Sequence, residues 1–125
     1  MRTGKIKINN KEYLLCFSAR VIRECSKRYG SVDKIGDALT EGTEIEKLDE
    51  SFWLLATMMD AGAKYAKLEN IENPEPLSYD DLYDVSDLLD LSMAKDHIFK
   101  TIAEGNKRNV EVEQERKNAE AAQQK

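Results

Sequence analysis

The chain has 125 residues, of which 41% are hydrophobic and 34% are charged, and its formal net charge at pH 7 is −5. A chain of this length can bury one hydrophobic core without disulfides or metals, so the composition predicts a globular protein. The longest apolar run covers residues 52–59, which is too short for the roughly 18–20 residues of a membrane span. We therefore expect no membrane association and a cytoplasmic location.

The charge is unevenly distributed along the chain. Residues 1–34 hold nine basic and three acidic residues, whereas residues 35–125 hold ten basic and 21 acidic residues. Such polarity can orient a partner or favour homo-oligomers that associate head to tail. The alternative is an ordinary solvated surface with no special role.

The first 17 residues predict a β-hairpin over residues 5–17. Polar and apolar side chains alternate in residues 5–8 and, less strictly, in residues 12–17, with Asn9-Asn10-Lys11 between them. Asparagine tolerates the positive φ that tight hairpin turns require. The predicted inner face consists of Ile6, Ile8, Tyr13, Leu15 and Phe17.

Apolar residues at helical spacing predict a mostly helical remainder. Ser18 and Gly30 suit the two ends of a first helix, and Thr43 with Glu46 suits a capping box at the start of a long one. The sequence thus predicts a single α+β domain over residues 1–105, in which a bundle of about five helices follows the hairpin. The predicted helices cover about residues 19–29, 32–39, 45–70, 79–85 and 87–104.

Residues 106–125 differ in kind from the rest of the chain. They are polar and charged, and their only larger apolar residues are Val110 and Val112. Such a segment cannot bury enough surface to fold alone. We predict a polar C-terminal tail that is either disordered or a frayed helix.

The helix predicted over residues 45–70 carries the strongest pattern. Its main apolar stripe consists of Ile45, Leu48, Phe52, Leu55, Met59 and Ala66, and Trp53 and Leu68 widen it. Leu54, Met58 and Tyr65 lie away from this stripe, so either other elements cover them or they await a partner. We predict that these three residues contact a partner or a second copy, with burial in the core as the alternative.

We find no arrangement of residues that predicts catalysis, a cofactor or a metal site. His97 is the only histidine, and the two cysteines, Cys16 and Cys25, fall on apolar faces as buried thiols do. The acidic residues near position 84 lack the glycine and terminal glutamate of a calcium loop, and they alternate with apolar residues at helical period. We therefore expect a binding protein and not an enzyme.

A DNA-binding or regulatory domain is an alternative, because residues 18–39 have the outline of a helix-turn-helix. The second helix would have to read bases and phosphates, yet residues 32–39 contain two aspartates and one lysine. We therefore do not expect a nucleic-acid partner.

Three short segments carry a family resemblance. They are Ile-Lys-Ile-Asn-Asn-Lys-Glu-Tyr at 6–13, Phe-Ser-Ala-Arg at 17–20 and Tyr-Gly-Ser at 29–31. With the helical remainder, this order resembles the tail assembly chaperones of long-tailed phages and prophages. The resemblance covers about residues 5–104 in layout, and Asn10 stands where the family's turn more often has glycine.

The resemblance implies a non-virion protein of the bacterial host cytoplasm. Such chaperones bind the tape-measure protein and help the tail-tube protein to assemble around it. Many also have a longer form made by ribosomal frameshifting, and a tail such as residues 106–125 would suit that junction. A minor structural protein of the tail is a further alternative.

Overall fold

The computed structural model describes residues 3–87 and 93–103. It confirms the α+β class, with an N-terminal hairpin followed by helices. The elements are β1 (Thr3–Ile8), β2 (Lys11–Cys16), α1 (Ala19–Tyr29), a 3₁₀ turn (Val32–Lys34), α2 (Ile35–Thr40), α3 (Glu44–Leu68) and α4 (Tyr79–Val85). A last helix, α5, is described over residues 93–103. The predicted tail, residues 106–125, lies outside the described residues.

The hairpin has the predicted turn and inner face. Asn9 and Asn10 have φ values of 55° and 67°, as both central residues of a two-residue type I′ turn require. Ile8 therefore lies opposite Lys11, in an antiparallel register. All side chains of the predicted inner face are buried, with relative exposures of 3% or less: Ile6, Ile8, Tyr13, Leu15 and Phe17.

The two short helices after the hairpin match the prediction in part. α1 has the predicted bounds and ends at Gly30, whose positive φ of 92° turns the chain and whose N–H donates to the Ser26 carbonyl. Ser18 occupies the N-cap position, but its side chain makes no capping hydrogen bond. The helix predicted over residues 32–39 is divided into the 3₁₀ turn and α2.

α3 is the central element of the fold. It spans 25 residues, which corresponds to about 37 Å at 1.5 Å per residue. The predicted capping box is present, since the Glu46 N–H donates to Thr43 Oγ1 at 3.1 Å and the Thr43 N–H donates to Glu46 Oε1 at 3.4 Å. The helix ends at Leu68, two residues before the predicted end, because Asn70 adopts a positive φ of 57°.

Two residues of the predicted stripe on α3 are not part of the core. Ile45 and Leu68 are 71% and 82% exposed, because they lie in the first and last turns of α3. The middle of the helix packs against β2, α1, α2 and α4. At Gly62 the contact with β2 is so close that a Cβ would overlap the carbonyl oxygen of Leu14.

The last two helices close the core. α4 begins with a capping box between Ser78 and Asp81. Ser86 leaves α4 with extended backbone angles and Asp87 is not helical. Of the helix predicted over about residues 87–104, residues 93–103 are described and are helical. On α5, Thr101 lies against Gly4 of β1. Within residues 3–87 and 93–103, no helix combines the length and apolarity needed to cross a bilayer.

Candidate protein-binding surfaces

The structure separates the three residues predicted to contact a partner. Leu54 and Met58 have no exposed surface, because the elements packed around α3 cover this side of the helix as well as the main stripe. The prediction is corrected for these two residues, which belong to the core. Tyr65 is half-buried and packs against the core, so its partner role stays a prediction.

A groove lies where α3 ends and the chain turns back towards the hairpin. The last turns of α3 and residues 71–76 line it, and Glu12 of β2 lies at its rim. We call it the α3–loop groove. Its apolar lining comes from Ala63, Ala66, Ile71 and the two prolines, while lysines of α3 and glutamates of the loop surround it.

Asn73 fastens the loop of this groove to the hairpin. Its Oδ1 accepts the N–H of Leu14 at 2.9 Å, and its Nδ2 donates to the Pro74 carbonyl at 3.2 Å. Pro74 and Pro76 restrict φ on either side of Glu75. The loop wall is therefore held in place before any partner arrives.

The hydrophobic periodicity of the sequence does not predict which apolar side chains are exposed at this end of α3. Leu68 is 82% exposed and Ile71 is 49% exposed. The helical pattern assigned Leu68 to the buried stripe, and Ile71 follows the helix and belongs to no pattern. The one signal in the sequence is an apolar residue placed between a helix end and Pro74.

A second groove runs between α1 and α3. Arg20 and Glu24 of α1 line one side, and Tyr79 of α4 lines the end. The α3 side consists of Trp53, Ala56, Thr57 and Asp60. We call it the α1–α3 groove. Its rim carries charges of both signs, so it does not select for a partner of one charge.

Trp53, on the wall of the α1–α3 groove, is held by two residues at the end of α1. The Arg28 guanidinium carbon lies 4.5 Å from the centre of the indole, and the Tyr29 ring meets it edge-on at 5.8 Å. Glu50 in turn accepts hydrogen bonds from Arg28 Nε at 2.8 Å, from Arg28 Nη2 at 3.1 Å and from the Tyr29 hydroxyl at 2.6 Å.

These bonds favour the ionised form of Glu50. Burial pushes the pKa of Glu50 upward, but the hydrogen bonds from Arg28 and Tyr29 outweigh it, so the pKa lies below its usual value. The pKa of Tyr29 is raised by burial and by its bond to Glu50. A charged carboxylate therefore joins α1 to α3 at neutral pH.

The neighbouring carboxylate joins α4 to α3. Asp49 accepts hydrogen bonds from the hydroxyls of Tyr83 and Tyr79, the latter at 2.9 Å, and these two bonds lower the pKa of Asp49. The Tyr83 ring packs edge-on against Phe52 with ring centres 4.8 Å apart. Asp49 and Glu50 are adjacent in sequence, so a single turn of α3 is bonded to both α1 and α4.

The two cysteines and the single histidine are buried or half-buried within the fold. Cys16 and Cys25 are both buried, as predicted. Burial, and to a smaller extent the negative charge of Glu24, raises the pKa of the Cys25 thiol to about 11. His97 is half-buried on α5, and its carbonyl accepts the Thr101 hydroxyl at 2.8 Å. Among the residues that the structure describes, no group of histidines, cysteines and carboxylates is placed to hold a metal ion.

The helix-turn-helix alternative gains nothing from the geometry of residues 18–39. α2, which would be the recognition helix, has only six residues, Ile-Gly-Asp-Ala-Leu-Thr, and carries no basic side chain. Ile35 and Leu39 are buried in the core. Base and phosphate readout would need exposed donors on this helix.

Comparison with known proteins adds no relative to this description. No protein-family model matches the chain, and no match was found among curated proteins or solved structures.

Proposed function

We propose that the chain is a non-enzymatic tail assembly chaperone of a long-tailed phage or prophage. In this proposal it acts in the bacterial cytoplasm, needs no cofactor, binds the tape-measure protein and aids assembly of the tail-tube protein. The proposal combines the resemblance of residues 6–31 with one structural observation. That observation is the α3–loop groove, which the exposed Ile71 lines, together with the exposed Leu68 at the end of α3.

The geometry of the α3–loop groove suits an amphipathic helix of a long helical client. Such a helix would place apolar side chains on Ile71 and the prolines, and its polar flanks would meet Lys64 or Lys67 on one wall and the loop glutamates on the other. Because Asn73 already holds the loop wall, binding would order few additional residues of the chaperone.

Co-expression with the tape-measure candidate from the same genome tests the proposal. We expect a soluble, stoichiometric complex that co-purifies. Leu68→Ser and Ile71→Ser should each weaken the complex about tenfold or more, since apolar anchors at a binding groove commonly account for this much affinity.

Ile45→Ser provides the matched control. Ile45 is also on α3 and is 71% exposed, but it lies at the opposite end of the helix, so its change should leave the complex intact. If the tape-measure candidate stayed insoluble beside the well-folded protein, the chaperone proposal would fail. If Ile45→Ser and Leu68→Ser weakened the complex equally, the α3–loop groove would not be the binding site.

A further inference from the structure

The two edges of the hairpin differ in how they are covered. On β2, the Leu14 N–H donates to Asn73 Oδ1 at 2.9 Å, and the Leu14 carbonyl lies against Gly62 of α3. The peptide group at the middle of this edge is therefore occupied by the loop and by α3. Another strand could not pair there without displacing both.

Within the part of the chain that the structure describes, the edge of β1 is open. The two-residue turn makes Ile8 and Lys11 the first hydrogen-bonded pair. Residues at odd positions of β1 therefore point their N–H and C=O groups away from β2. Thr3, Lys5 and Lys7 form this edge, and within residues 3–87 and 93–103 no further strand joins the two-stranded sheet.

The side chains beside this edge specify the chemistry of a strand that could join it. Lys5 and Lys7 are exposed on the outer face of the hairpin, and Ile6 and Ile8 are buried on the inner face. A neighbouring strand would place its outward side chains beside the lysines and its inward side chains beside the isoleucines. A second copy is a poor occupant, because antiparallel pairing of two β1 edges would bring lysines against lysines.

We propose that the open edge of β1 binds an extended segment of another protein, in which acidic and apolar side chains alternate, and adds it to the sheet as a third strand. Main-chain hydrogen bonds would supply the binding, and Lys5 and Lys7 would select for acidic side chains. The open edge lies on the other side of the hairpin from the α3–loop groove. The inference therefore does not rest on the proposed chaperone function.

A synthetic seven-residue peptide of alternating valine and glutamate is the probe, and a valine–lysine peptide is its counterpart. Residue-resolved amide exchange of the full chain should show new protection at Lys5 and Lys7 when the valine–glutamate peptide is added. The amides of Ile6 and Ile8, already bonded across the hairpin, should not change. Equal binding of the valine–lysine peptide, or no protection at β1, would overturn the proposal.

A matched pair of double variants separates the edge from general attraction to basic residues. Lys5→Glu with Lys7→Glu should weaken the valine–glutamate peptide about tenfold or more, since it turns two attractive cross-strand pairs into repulsive ones. Arg23→Glu with Lys27→Glu makes the same change of net charge on α1, where both residues are exposed, and should change the affinity less than twofold. Equal effects of the two pairs would contradict strand addition, and circular dichroism checks that every variant is folded.

The chain itself contains a competing sequence of the same kind, since residues 110–113 are Val-Glu-Val-Glu. Glu111→Lys with Glu113→Lys tests whether this segment is the occupant. Unchanged peptide affinity supports an external partner. Tighter peptide binding would assign the edge to the chain's own segment and overturn the proposal.

Discussion

Gly62 is the residue at which α3 comes closest to the hairpin, because any Cβ there would overlap the carbonyl oxygen of Leu14. The atom in the way belongs to the backbone of a strand, so a rotamer change cannot relieve the overlap. Gly36, on α2, is also in a helix, but a Cβ there would meet no atom within 4 Å. These two glycines allow the same substitution to be compared in opposite surroundings.

We expect Gly62→Ala to lower the free energy of unfolding by about 2 kcal/mol, because the cost of overpacking exceeds the helix propensity that alanine gains. Gly36→Ala should raise it by about 0.5–1 kcal/mol. Urea denaturation of both variants measures the difference. A stabilising effect of Gly62→Ala would contradict this close approach of α3 to β2.

Residue patterns predicted which side chains are apolar and periodic, but not what covers them. The inner face of the hairpin was predicted fully, because Ile6 and Ile8 alternate with lysines on β1 and the Asn9-Asn10 turn then sets which side chains of β2 share their face. Leu54 and Met58 were misassigned, since the same pattern fits a surface awaiting a partner and a surface already covered. Only the arrangement of β2, α1, α2 and α4 around α3 distinguishes the two.

At the scale of elements, two adjacent carboxylates attach different helices to α3. Glu50 holds the end of α1 through Arg28 and Tyr29, and Asp49 holds α4 through its two tyrosines. Both carboxyl groups have pKa values below their usual range in the folded protein. Their contribution to stability is therefore lost as the pH falls.

Because the folded pKa values are lowered, this contribution is complete above the unfolded values of about 4 and is lost as pH falls through the folded ones. We expect thermal unfolding to shift to lower temperature below about pH 4. Glu50→Gln should cost about 1 kcal/mol at neutral pH, since it leaves Arg28 without a charged acceptor. It should also reduce the loss of stability in acid.

Asp60→Asn is the control for this prediction. Asp60 pairs at 2.8 Å with Lys64 of the same helix, and both side chains are about half exposed, so this variant should keep the acid sensitivity of the unmodified protein. If Glu50→Gln and Asp60→Asn had the same acid profile, Glu50 would not be the attachment that titrates.

Element boundaries were predicted well where a cap marks them. Thr43, Ser78 and Gly30 are such marks, and α3, α4 and α1 begin or end beside them. The attachments of α1 and α4 were not predicted, because the Tyr79 and Tyr83 bonds to Asp49 join residues 30 and 34 positions apart. Local periodicity carries no information about pairs at that distance.

For the whole molecule, the central position of α3 predicts one cooperative unfolding unit. α3 contacts β2, α1, α2 and α4. If α3 unfolded, each of these elements would expose the face that it buries against α3. Trp53, the chain's single tryptophan, reports on this unit because it belongs to α3 and its ring contacts Arg28 and Tyr29 at the end of α1. The predicted extent of the domain, residues 1–105, can be tested in the same way.

We expect urea unfolding curves from Trp53 fluorescence and from far-ultraviolet circular dichroism to coincide, as a two-state domain requires. The fluorescence curve isolates the packing of α1 on α3, and the dichroism curve averages over all helices. An earlier fluorescence transition would show that α1 detaches before the rest unfolds and would contradict a single unit.

The bond between Asn73 and Leu14 also constrains the order in which a newly made chain can complete its fold. These residues are 59 positions apart, so at about 5–20 residues per second the ribosome needs about 3–12 s to deliver Asn73 after Leu14. Throughout that interval the emerging hairpin has two unpaired strand edges in place of one. The nascent chain is thus most exposed to mispairing before the loop after α3 has been synthesised.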